Sequence, residues 1–268
     1  MEFIDIGANL THESFRNDLD EVIKNAEKAG IIHIMLTGTD QQTNLEAMRL
    51  AISNPSFFSS TVGFHPHIAD KVDESDFIRA IDLLSSKHVV AIGETGLDYN
   101  RNFSSKKAQL KIFEQHLELA TQVKLPLFLH QRDAHQDFFP LLNKYRSSIV
   151  GGVVHCFTAD KRALDAYLDI EMHIGITGWI CDERRGKGLQ EIVHKIPEDK
   201  MLLETDSPYL LPRSIRPKPK SRRNEPKFLP EVARLVSEHS AKKLKEIARI
   251  TTRNAINLFN LPIDDINP

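Results

Sequence analysis

Five apolar runs in this sequence end on a residue that can hold a metal ion. Residues 89–93 give way to Glu94, 127–129 to His130, 152–154 to His155 and 201–205 to Asp206, while a fifth run leads into Gly63-Phe64-His65-Pro66-His67. Imidazole nitrogens and carboxylate oxygens are the ordinary ligands of zinc, manganese and magnesium. A carboxylate can also bridge two ions about 3.5–4 Å apart, as in two-metal hydrolytic sites. Acids gathered in a cleft without a cation would suffer desolvation and mutual repulsion. One such strand end is commonplace; five in one chain point to a shared cation site. Glu204 and Asp206 lie on one face of a strand by its period of two. Asp206 is nearer the end and is the expected ligand, with Glu204 as a supporting acid.

Such a convergence needs strands whose ends meet. Runs rich in β-branched residues occur near 3–8, 31–36, 57–63, 88–93, 126–130, 149–155, 172–177 and 201–206, with helical patterns between them. Most are continuously apolar, as expected of parallel strands covered on both faces. Val22, Ile23, Ala26 and Ala29 mark one helix face, ended by Gly30; Leu110, Phe113, Leu117 and Ala120 mark another. Asp73 and Asp160 are expected N-caps, and a last helix is expected over 241–259. Eight β-α units in 268 residues predict a single-domain (β/α)8 barrel over 1–268, with the active site at the C-terminal ends of the strands.

Composition removes several alternatives. Hydrophobic residues make up 41% and charged residues 27%, ordinary for a soluble domain. A net charge of −2 supplies no global pull toward polyanions, so any such site must be local. Cys156 and Cys181 have neither redox nor zinc-finger spacing and read as buried small residues. The acidic start 1–5 does not read as a leader, and no run approaches the ~18 apolar residues of a membrane span. The expectation is a cytoplasmic protein. No helix face reads as a strong dimer seam, which makes a monomer the expectation.

Local clustering is present. Arg213, Arg216, Lys218, Lys220, Arg222 and Arg223 crowd a proline-rich loop just after the strand bearing Asp206. Beside a metal site such a loop can guide an anionic substrate. Arg132 and the segment carrying Trp179, Arg184 and Arg185 are candidates for binding phosphate and stacking bases. The remaining histidines read differently: His12, His116, His135, His194 and His239 as solvated, His33 and His173 as satisfied within strands, and His88 at the wrong end of the barrel.

These motifs together resemble the TatD family of metal-dependent deoxyribonucleases. The resemblance rests on Asp5-Ile6-Gly7-Ala8-Asn9-Leu10, Gly63-Phe64-His65-Pro66-His67, Gly93-Glu94-Thr95-Gly96-Leu97-Asp98, Leu129-His130-Gln131-Arg132-Asp133, His155-Cys156-Phe157 and Glu204-Thr205-Asp206-Ser207-Pro208-Tyr209, and it runs from about 3 to 259. It implies a TIM barrel of the metal-dependent hydrolase type and a cytoplasmic 3′→5′ exonuclease acting on single-stranded DNA and RNA. It also implies metal ligation by Glu94, His130 and His155, with Asp206 at the metal or as proton acceptor and His65 near the reacting phosphate. Many relatives carry H-x-H at the end of strand one, where this chain has Gly7 and Asn9. Loss of those imidazoles tilts the expectation toward Mg2+, with Mn2+ or Zn2+ as alternatives. Two other readings stay open: hydrolysis of an amide, lactone or aminoacyl ester by the same barrel, and a non-catalytic role in protein quality control.

Overall fold

The computed structural model describes residues 1–263. Eight strands, β1 (Phe3–Ala8), β2 (Ile31–Leu36), β3 (Phe58–Val62), β4 (Val89–Asp98), β5 (Leu127–Arg132), β6 (Gly152–His155), β7 (His173–Ile176) and β8 (Met201–Leu203), pair in sequence order, each parallel to the next. Between and after them run α1 (Leu19–Lys28), α2 (Gln41–Ser53), α3 (Glu74–Leu84), α4 (Lys106–Val123), α5 (His135–Tyr145), α6 (Lys161–Asp169), α7 (Lys187–Ile192), α8 (Leu229–Ser240) and α9 (Leu244–Phe259). This is the expected (β/α)8 barrel. Asp73 and Asp160 cap α3 and α6 as expected, each accepting a backbone N–H three residues on.

The seam between the last strand and the first is closed by backbone and one buried acid. Asn9 donates its N–H to Ser207 O at 2.7 Å, and Asp206 donates its own to Gly7 O at 2.8 Å. Asp5 accepts the N–H of Thr205 at 2.9 Å and of Gly7 at 3.3 Å, and the Thr205 hydroxyl as well. Burial pushes the Asp5 carboxyl up to about 7, against the pull of those hydrogen bonds.

Apolar packing divides into two clusters. Ile4, Ile6, Met35, Val90, Phe128, Val153 and Leu202 form the smaller one with Phe259 and Leu261, from the end of α9 and just beyond it. The larger one joins strand residues such as Phe3, Ile34 and Leu129 to helix residues such as Val22, Phe113 and Phe138. Burying a side chain of the size of Phe128 is worth about 1.5–3 kcal/mol.

Two strand ends differ from expectation in ways that matter for the site. β4 runs on to Asp98 rather than stopping at Gly93, because Gly93 and Gly96 take positive φ and let the strand shift register against β5 and continue. β8 ends at Leu203; Asp206, at φ 55, turns the chain away from the ladder. The last helical stretch begins at Leu244, separated from α8 by Ala241 in the left-handed region.

Candidate metal centre

Three imidazoles from three strand ends meet on one oxygen. Glu94 Oε1 lies 2.8 Å from His130 Nδ1, 2.8 Å from His155 Nε2 and 3.2 Å from His65 Nε2. His65, Glu94 and His130 each present a ligating atom within 4.8 Å of the others. Asp206 joins from the seam, where Asn9 Nδ2 donates to its Oδ1 at 3.2 Å. His65, Glu94, His130 and His155 therefore gather at the C-terminal mouth of the barrel, and Asp206 lies near enough to feel the charges of His155 and Glu94.

The protonation pattern suits a cation. Burial works to raise the Glu94 carboxyl, but the electrostatic pull of His65 and His155 and hydrogen bonds from His130 and His155 hold it well below the usual range. Burial opposes a charge on His155, yet Glu94 and Glu204 raise it well above its ordinary value. His130 is raised too, against burial, by hydrogen bonds to Asp98 and Glu94. A carboxylate held in its charged form among imidazole nitrogens is a donor set that fits a divalent cation. His65 differs. Burial lowers it to about 4 despite Glu94. Its Nδ1 accepts the His67 N–H at 3.1 Å, so the single proton of the neutral ring is on Nε2, facing Glu94. Burial raises Asp206 to about 7, with His155 pulling the other way.

A second acid belongs to the cluster and was missed from sequence. Asp98 Oδ2 lies 2.8 Å from His67 Nε2 and 3.3 Å from His130 Nε2, and Asp98 Oδ1 accepts the N–H groups of Asn100 and Arg101. Burial raises its carboxyl, but hydrogen bonds from His130 and His67 bring it far below the carboxylate range. The available signal was the period of two: Glu94, Gly96 and Asp98 share a face once β4 is allowed to continue through its glycines.

The helices behind the sheet fix the rim. From α2, Asn44 donates to Gly63 O at 3.0 Å and accepts Gly63 N–H at 3.1 Å. From α4, His116 Nε2 accepts the N–H of Phe64 at 3.2 Å, and Gln109 brackets Asp98 by accepting its N–H and donating to its carbonyl. His116 is therefore a buried anchor of the His65 loop, not a solvated residue. His33 is satisfied inside β2, 3.0 Å from Ser59 Oγ. His135 is half-buried against the Tyr167 hydroxyl.

Glu204 is fully buried beneath the centre. Its Oε2 lies 3.3 Å from His155 Nδ1, and its Oε1 accepts the N–H of Cys156. Gly7 and Gly175 make its slot: a Cβ on either would come within 2.7 Å and 2.6 Å of that carboxylate. Two further expectations change. Arg223 is tied to Asp18 and Glu225 and lies over Phe15, so it secures the loop. Trp179 is buried, with the guanidiniums of Arg132 and Arg185 over its ring at 4.6 and 4.4 Å. It is a buried platform for two cations.

Known proteins carry the same pattern. The family model for TatD-related DNases matches residues 4–260. A protein of Erwinia billingiae named 3′-5′ ssDNA/RNA exonuclease TatD is 46% identical over 96% of this chain and 99% of its own length. One of the same name from Edwardsiella piscicida is likewise 46% identical over 96% of this chain and 99% of its own. Among solved structures, a TatD homologue from Escherichia coli superposes with a TM-score of 0.87 at 25% identity, covering 97% of this chain and 98% of that one. A TatD-family hydrolase from Entamoeba histolytica gives 0.85 at 28%, with the same coverage.

Proposed function

The chain belongs to the TatD-related DNase family, and we propose that it removes nucleotides from the 3′ end of single-stranded DNA and RNA, using a divalent cation held by Glu94, His130 and His155. It is a nuclease, a hydrolase of phosphodiester bonds. The observation that carries the finer reading is the convergence of three imidazole nitrogens on one Glu94 oxygen, with Asp206 beside them.

Glu94, His130 and His155 would hold a divalent cation, which when bound would supply Lewis-acid polarisation of the phosphate and activation of water. Asp206 takes the proton of the attacking water: burial raises its carboxyl to about 7, against the pull of His155, and Asn9 donates to its Oδ1. The water oxygen bonds to phosphorus as the bond to the 3′ oxygen of the upstream nucleotide breaks. That oxygen takes up the proton that Asp206 accepted, giving a nucleoside 5′-phosphate and a strand shortened by one. His65, beside Glu94, is the residue we place nearest the phosphate; a preorganised donor at such a position is worth about 2.7–4 kcal/mol. We assign Mg2+ first, with Mn2+ and Zn2+ as competitors. The reason is the end of β1, where Gly7 and Asn9 stand in place of the two imidazoles that many relatives carry, so that the site has fewer nitrogen donors.

The test is digestion of a 3′-labelled single strand by purified protein. Mononucleotide release should require added metal, stop with chelator, and fall by about 100-fold or more in Glu94→Ala. Digestion unaffected by chelator, or at the wild-type rate in Glu94→Ala, overturns the proposal.

A further inference from the structure

Two clefts open among the loops that follow the barrel strands, and their linings carry opposite charge. The first, about 980 Å3, lies among the loops that follow β4, β5 and β6. Its charged lining is Asp133, Asp137 and Asp160 against Lys106 and Arg162. None of those three carboxylates is ion-paired to a Lys or Arg among the described residues. Phe139, stacked on His135, and Tyr99 supply aromatic surface. The second, about 620 Å3, lies between the turn that follows β7 and the loop that follows β8. Six cations line it against two carboxylates, Asp182 and Glu183, which are taken by Arg185 and Arg213. Among the described residues Arg216 donates hydrogen bonds only to the carbonyls of Arg213 and Ile215. Among the described residues no carboxylate lies within ion-pair distance of Arg216, Lys218, Lys220 or Arg222.

Arg132 stands between the clefts. It lies two residues beyond His130 on the same strand, hence on the same face. Its guanidinium bonds Thr158 Oγ1 in the lining of the first cleft and covers Trp179 in the lining of the second. No carboxylate pairs with it among the described residues.

A strand held for removal of its last nucleotide is electrically lopsided. On one side of the scissile phosphate stands a nucleoside with no further phosphate; on the other every nucleotide brings a negative charge. We infer that the strand enters through the cationic cleft between the 178–182 turn and the 210–222 loop, that Arg132 meets the phosphate at the junction, and that the 3′-terminal nucleoside ends in the acidic cleft at α5 and α6. This rests on the nuclease reading and adds the source of its polarity. An upstream chain would meet repulsion in the first cleft and unpaired cations in the second. The opposite orientation, needed to start from a 5′ end by the same chemistry, has no such match.

Binding tests the inference separately from hydrolysis. The probe is a fluorescent 12-residue oligothymidylate, read by anisotropy in EDTA over a range of salt. Replacing Arg216, Lys218 and Lys220 together by Gln should make the slope of log affinity against log salt shallower by about 2, since each phosphate neutralised on a single strand contributes about 0.7. Wild-type protein needs no variant for the second arm. A 12-mer ending in a 3′-phosphate should bind roughly fivefold more weakly than one ending in a 3′-hydroxyl, the effect of one like charge at contact distance in water. Asp133→Asn/Asp137→Asn should narrow that gap. An unchanged salt slope, or equal affinity for the two ends, overturns the assignment of the clefts. Failure of wild-type protein to release nucleotides under any metal overturns the nuclease reading instead.

Discussion

Glu204 and His155 are joined at 3.3 Å, carboxylate to Nδ1, on the side of the ring away from Glu94. The carboxylate fixes the proton of His155 on Nδ1, leaving Nε2 as the free ligand atom toward the centre. Glu204→Gln should therefore lower divalent-metal affinity about 10–100-fold. Competition with a fluorescent chelator measures this directly, and an affinity equal to wild type would refute it.

Asp98→Asn should reduce kcat by about 10–100-fold while leaving the fold intact, because it removes the charge that orients His130 and His67 from outside the centre. Steady-state kinetics with a short single strand, together with an unchanged melting curve, is the check. Loss of the fold instead would mean that its bonds to the 100–101 turn dominate.

Asn44→Leu leaves both backbone groups of Gly63 without partners. A buried group so orphaned costs about 1–3 kcal/mol, so urea unfolding should show a loss of at least that size. A smaller change would indicate that water replaces the amide.

Acid stability follows from His116. Burial depresses it to about 4 from an ordinary 6.5, despite its bond to Ile112 O. Between those values the unfolded chain binds a proton that the native chain refuses, so stability is full above pH 6.5 and falls as pH drops toward 4. The loss reaches about 3 kcal/mol at most. Asp5, raised to about 7, works with the opposite sign over much of this range, so total stability is a poor readout. The difference between wild type and His116→Gln, measured by urea unfolding, should shrink from pH 7 to pH 4; a constant difference contradicts it.

Arg223→Ala should lower the melting temperature, through loss of Asp18, Glu225 and the Phe15 face, and leave the salt dependence of strand binding nearly unchanged. A shallower salt slope would place Arg223 on the substrate.

The barrel and its five converging residues were legible because both follow from local pattern. β-branched runs give strands, and a polar residue closing an apolar run marks the rim. What escaped depends on distant partners. Asp98 sits in a strand extension made possible by Gly93 and Gly96, which interrupt the apolar pattern that would reveal it. His116, Gln109 and Asn44 look like surface residues of amphipathic helices until the backbone each one holds is in place. Arg223 reads as one more cation in a basic loop; only Asp18, more than two hundred residues earlier, assigns it to the scaffold.

The slot that Gly7 and Gly175 leave for Glu204 ties three distant positions into one unit of inheritance. Any larger residue at 7 or 175 must displace the acid at 204, and a shorter residue at 204 would empty the slot. Lineages derived from this chain should therefore alter these sites in concert, through paired or triple replacements, rather than one at a time.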